Sequence, residues 1–166
     1  LGNEEWNRRH GNVEFPGIAD LTTVDEAHAV RQTEDGGYIL AGWTMAGPSN
    51  DFWLVKTDGS GERRWDRQFG GSLHDQAYAV EQTAEGGYIL AGKTDSFGEG
   101  SSDFWLVKTD SLGNEEWNRT FGGPLNDEAR EVQQTADGGY IVAGSTWSFG
   151  EGFADFWLVK TDASGN

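Results

Sequence analysis

Three observations predict an all-β protein built from repeated four-stranded units. Among 166 residues there are 25 glycines and 3 prolines with no Gly-X-Y period, a composition that suits many tight turns between short strands. Residues 32–42 recur as 82–92 and again as 134–144, at steps of 50 and 52. Within each copy, apolar and polar residues alternate over short runs bounded by glycines, the period of a strand.

The strands follow in order from that punctuation. In the third copy, residues 129–135 read as a first strand, Asp137-Gly138-Gly139 as a turn, 140–146 as a second strand and 155–161 as a third. The turn over 162–166 should lead into a fourth, which the second copy supplies at 115–121. Residues 1–8 match 112–119 without a mismatch and match 60–67 more loosely, so residues 4–10 are expected to be a fourth strand. The chain is thus a single array: 1–11 a terminal outer strand, 12–71 the first repeat, 72–123 the second, and 124–166 a third without its fourth strand. An insertion with Pro16 sets the first repeat apart between Gly11 and Val24.

In the third strand, Phe104, Leu106 and Lys108 face one side while Trp105, Val107 and Thr109 face the other, so both faces must be covered. Radial packing between neighbouring units supplies that cover. A unit split between the two termini is a common way of closing a β-propeller. Because rings have about 4–8 blades, three repeats predict a six-bladed ring from two chains, each completing the other's last blade through residues 4–10; a C2 homodimer is also the commonest oligomer. The competing reading is a piece of a longer propeller chain, which the start at Leu1 also suits.

The pattern Asp-Gly-Gly-Tyr-Ile-Leu/Val-Ala-Gly-x-Thr, then Ser-Phe-Gly-Glu-Gly, then Asp-Phe-Trp-Leu-Val-Lys-Thr-Asp-x-x-Gly-Asn and Glu-Glu-Trp-Asn-Arg-Thr-Phe-Gly-Gly resembles a class of bacterial and archaeal β-propeller repeats. The resemblance covers nearly the whole chain and implies a secreted or cell-surface location. It says little about chemistry, because propellers host lectins, scaffolds and enzymes alike.

The formal charge of −16 and pI near 4.3 disfavour nucleic acid and anionic membrane surfaces. With no cysteine there is no disulfide or thiolate chemistry, and no apolar run is long enough for a membrane span. His10, His28 and His74 align with other residue types in the sister repeats and lack metal-ligand spacing, so they read as surface residues. No nucleophile elbow or phosphate loop is present; residues 96–100 read as a hairpin loop.

Asp25, Asp75 and Asp127 precede the first strand of each repeat. Gathered around a ring axis they would suit a hard cation such as calcium; singly, each would cap a turn by accepting backbone N–H bonds. Asp51, Asp103 and Asp155, and Asp58, Asp110 and Asp162, invite the capping explanation, and Lys56, Lys108 and Lys160 should pair with carboxylates. Trp53, Trp105 and Trp157 read as packing between blades, whereas Trp6, Trp65 and Trp117 suit either packing or exposure. Trp147 aligns with Met45 and Asp95 and, with Phe153, offers an aromatic surface for a glycan.

The expected function is a non-catalytic scaffold, structural or binding a glycan or protein ligand. The alternatives are a lectin-like carbohydrate-binding propeller, with strength from multivalency, and part of a glycan-processing enzyme, which needs a carboxylate pair at catalytic separation.

Overall fold

The computed structural model describes residues 6–11, 24–45 and 47–166, so the insertion with Pro16 and residues 4 and 5 of the expected terminal strand lie outside the described residues. Those residues form eleven strands and no helix. The first blade is β1 (Asp25–Gln32), β2 (Tyr38–Thr44), β3 (Asp51–Thr57) and β4 (Arg63–Phe69). The second is β5 (Asp75–Gln82), β6 (Tyr88–Thr94), β7 (Asp103–Thr109) and β8 (Glu115–Phe121). The third is β9 (Asp127–Gln134), β10 (Tyr140–Thr146) and β11 (Asp155–Thr161), with β11 at the sheet edge. All pairings are antiparallel and join consecutive strands.

Aspartates bond within the turns. Asp35 accepts Thr33 Oγ1 (2.6 Å) and Gly37 N (3.0 Å) between β1 and β2. Between β7 and β8, Asp110 Oδ1 accepts the amides of Leu112 and Asn114, both at 2.8 Å. The predicted first strand differs at its start. It begins at Asp127 rather than Ala129, and Asp25 and Asp75 likewise open β1 and β5 instead of preceding them. These aspartates pair through their backbone, Asp127 opposite Thr146, while their side chains cap.

Every first strand also carries a bulge, which the alternation did not reveal. Ala77 faces Gly92 and Ala79 faces Ala91, so Tyr78 has no ladder partner; His28 and Arg130 are skipped in the same way. The kink brings backbone onto the second strand, where only glycine fits. A Cβ on Gly92 would lie 2.0 Å from the Gln76 carbonyl oxygen, and those on Gly42 and Gly144 would meet Glu26 and Glu128 equally closely.

The core lies between blades. Ile39, Ala41, Phe52 and Leu54 of the first blade pack on Ala77, Val80, Leu90 and Trp105 of the second. Ile89, Ala91, Phe104 and Leu106 then pack on Ala129, Val132 and Val142 of the third. This is the two-sided burial read from β7. Edge contacts of Phe52 with Trp105 and Phe104 with Trp157, at 4.5 and 4.6 Å between ring centroids, repeat across both junctions. Burying each such large apolar side chain contributes about 1.5–3 kcal/mol.

Both ends of the stack stay open. Phe156 and Leu158 are 102% and 67% exposed, whereas Phe104 and Leu106, their equivalents in β7, are 0%. At the other end Val30 is 52% exposed against 0% for Val80. Residues 6–11 form no strand, and among the described residues no sheet edge pairs with them. They nevertheless dock on the first blade as an outer strand of a preceding blade would. Trp6 stands 5.8 Å from Tyr38, matching Trp65 on Tyr88 (5.8 Å) and Trp117 on Tyr140 (5.7 Å). The three indoles cover Gly61, Gly113 and Gly165, where a Cβ would collide with each ring.

Gly92→Ala is expected to lower stability by roughly 1–3 kcal/mol. Gly47→Ala, where a Cβ has open space, should change it by less than about 0.5 kcal/mol. Urea unfolding midpoints at constant m-value check both.

Candidate functional site

The three bulge residues differ from repeat to repeat, and they meet. Looped out of β1, β5 and β9, His28, Tyr78 and Arg130 come from three separate blades. The His28 ring stands edge-on to Tyr78 at 5.1 Å, and the Arg130 guanidinium lies over Tyr78 at 4.3 Å. A polar rim surrounds them. Tyr78 Oη donates to Gln76 Oε1 (2.9 Å), Arg130 pairs with Glu128, Lys93 Nζ stands 4.0 Å from Glu128, and His28 Nε2 is 3.9 Å from Glu26.

Burial pushes the Tyr78 phenol up, and the Glu128 carboxylate adds to the shift while Arg130 opposes it. Tyr78 therefore stays a neutral donor and acceptor with an aromatic body. Arg31 on β1 reaches Glu131 on β9 (3.5 Å) past the intervening β5, so the inner strands converge along their length. Beyond that pair an open cleft of about 390 Å³ lies between residues 31–34 and 81–84. Chemically, the cluster offers a guanidinium, an imidazole, a phenol and an ammonium, each beside a carboxylate or amide. That mixed lining suits a polar, hydrogen-bonding ligand.

The aspartates predicted as cation ligands are instead occupied by donors. Asp75 accepts Thr94 Oγ1, Gly71 N (2.9 Å) and Ser96 Oγ (2.8 Å). Asp127 accepts Gly123 N (2.9 Å), Ser148 Oγ (2.7 Å) and Trp147 N (3.2 Å), and Asp25 accepts Thr44 Oγ1 (2.5 Å). Among the described residues no group of three or more histidine, aspartate or glutamate side chains gathers as a metal site.

Asp75 and Asp127 each have a further neighbour, one that sequence reasoning missed. Asp51 approaches Asp75, and Asp103 approaches Asp127, across the junction between blades. Burial raises the Asp51 and Asp103 carboxyls, and the facing carboxylate raises them further. Asp58, Asp110 and Asp162 are lowered by the hydrogen bonds of their turns, as expected for caps.

Lys56, Lys108 and Lys160 pair with Asp35 (2.8 Å), Glu116 (2.7 Å) and Asp137 (2.9 Å). Trp105 and Trp157 are packing residues of the junctions, and so are Trp65 and Trp117. Residues 96–100 form the β6–β7 loop, with Gly98 and Gly100 at φ 97 and 98°. Trp147 and Phe153 are 49% and 92% exposed, and no ring contact joins them. His28 and His74 are exposed, as the sequence predicts; His28 also joins the cluster, and His74 Nδ1 accepts Asn50 N at 3.1 Å.

Neither a scan against protein-family models nor a search of curated proteins returns a match to this chain.

Asp127→Ala strands the buried Gly123 amide and removes the acceptor of the part-buried Ser148 hydroxyl, and is expected to cost about 1–3 kcal/mol. The loss should be the same with calcium or with chelator present, as urea unfolding in both conditions would show.

Proposed function

We propose that the chain is a non-catalytic β-propeller module of a secreted or cell-surface protein, binding a polar ligand at its inner-strand bulges and closing as a six-bladed ring from two copies. One observation carries the binding role: His28, Tyr78 and Arg130, at a repeat position that varies, touch one another across three blades. The strand pairing around them is the same in each copy, so the variation is not needed to build the sheet. The resemblance to surface propeller repeats supports the location.

Closure is supported by the two open ends. The edge of β11 presents Phe156 and Leu158, while residues 6–11 already lie against the first blade in the position of an outer strand. In the register of β7 with β8, Lys108 faces Trp117 and Val107 faces Asn118. The same register puts Lys160 of one copy opposite Trp6 of the other, and Val159 opposite Asn7. Trp157 Nε1 then has Asn7 for a partner, as Trp105 Nε1 has Asn118 Oδ1 at 3.4 Å. Both closing contacts are head to tail, and two copies return to the starting point.

A lectin-like reading draws on one further observation, the exposure of Trp147 and Phe153 on the β10–β11 loop. The two readings use different surfaces.

Light scattering is expected to give twice the 18.2 kDa chain mass, and removal of residues 1–11 or Phe156→Lys should give monomer. A monodisperse monomer of the whole chain sinks the ring. For ligand binding, a screen of glycans and peptides followed by titration checks the site: Tyr78→Ala and Arg130→Ala should weaken binding at least about tenfold, or 1.4 kcal/mol. Binding that responds only to Trp147→Ala or Phe153→Ala favours the lectin-like surface.

A further inference from the structure

At each junction between blades, two carboxyl groups share one dry corner. A Cβ on Gly122 would sit 1.7 Å from Asp103 Oδ1 and 2.8 Å from Asp127 Oδ2, so both oxygens converge where that glycine leaves room. Gly70 makes the same room for Asp51 Oδ1, beside Asp75. Asp103 is 2% exposed, and Asp75 and Asp127 are 0%. The remaining oxygens are taken, Asp103 Oδ2 by Glu99 N (2.5 Å) and Asp127 Oδ1 by Trp147 N (3.2 Å), and Asp127 Oδ2 also accepts Gly123 N and Ser148 Oγ. Asp51 Oδ1 and Asp103 Oδ1 are buried without a hydrogen-bond partner.

Two ionised carboxylates side by side, screened from water, repel, and the donors around Asp75 and Asp127 leave Asp51 Oδ1 and Asp103 Oδ1 unserved. One proton resolves this, because a protonated Oδ1 of Asp103 becomes a donor toward Asp127. The upward shift of Asp51 and Asp103, caused first by burial and then by the facing carboxylate, agrees.

The third such corner is divided between the two ends of the chain. Asp155 Oδ2 is buried without a partner and stands beside Gly150, as Asp103 Oδ2 stands beside Gly98. Gly11 lies with its Cβ position 3.6 Å from Asp25 Oδ2, as Gly122 lies beside Asp127. What the corner lacks is the other half. We propose that ring closure sets Asp155 of one copy against Asp25 of the next and that this pair takes up one proton, so that assembly tightens as the pH falls; the proposal rests on the head-to-tail closure set out above. The chemistry is a carboxylic acid donating to a carboxylate, with the proton drawn from solvent.

The sign follows from linkage. A carboxyl whose pKa rises on burial favours the buried state most below its ordinary range and loses that advantage as the pH rises through the raised value. The pairs within one chain exist in monomer and ring alike and cancel. Two other titratable groups face the closing pair. Glu151 occupies in the β10–β11 loop the place that Glu99 holds near Asp103. His10 precedes Gly11 as Phe121 precedes Gly122. Glutamate strengthens the demand for a proton, and histidine is a second group able to take one up.

Sedimentation equilibrium of the whole chain across about pH 5 to 8, with chelator, tests the proposal. The dimer dissociation constant is expected to rise with pH by up to about tenfold per unit for each closing contact. Asp155→Asn and Asp25→Asn should each flatten that dependence while still dimerising, and His10→Phe should retain it. A wild-type dimer whose affinity is flat with pH overturns the shared proton, as does a slope lost only in His10→Phe. A dimer that needs added calcium overturns it too, because a cation then neutralises the pair. Failure to dimerise at any pH overturns the ring closure itself.

Discussion

The third strand of each blade carries large apolar groups on both faces, and almost everything else answers to that. A sheet apolar on two sides has no solvent face, so it is stable only between two others. Phe52 on Trp105 and Phe104 on Trp157 are the repeated contact that meets the requirement. Once those rings set the spacing, the glycines of the β3–β4 and β7–β8 turns come under the indoles of the neighbouring outer strand. The first strands are drawn together at the narrow side of the stack, which is why three bulge residues from three blades can touch.

Polar groups are confined to the rims of this apolar stack, and the rim bonding is more tolerant than the core. Lys56 and Lys160 use the turn aspartates Asp35 and Asp137, while Lys108, whose own turn carries Glu85, pairs with Glu116 from the outer strand. Each ammonium also donates to a backbone carbonyl of its own strand end, at 2.8 to 2.9 Å. The cation is kept and the anion is exchangeable. By contrast, the aspartates that open each first strand are the same in all three repeats, and Asp75 and Asp127 share a glycine amide and a serine hydroxyl as donors.

Strand identity and order were legible because they rest on local signals: period-two alternation in residues 155–161, glycine turns, and identity between repeats. The side-by-side packing of blades followed from Phe104 and Trp105 pointing in opposite directions. The bulges were not read, although a trace was present. Ala77 and Val80, three apart, enter one core, while Ala79 enters the other, a break in alternation that a short strand disguises. The start of β9 was placed late because Asp127 looks like a cap, and in the structure it is a cap and a ladder residue at once. Asp103 and Asp127 could not be paired from sequence, since nothing in either repeat says which atoms of the next blade will face it.

A residue looped out of a β-ladder fills no core and closes no backbone pair, so exchanging it disturbs neither. The glycine opposite fixes the loop without asking anything of the side chain it expels. A gene that lengthens by copying whole blades therefore gains, with each copy, a position free to diverge without disturbing the packing. His28, Tyr78 and Arg130 are three such letters on a shared template, and the vocabulary of the array can grow without any redesign of its grammar.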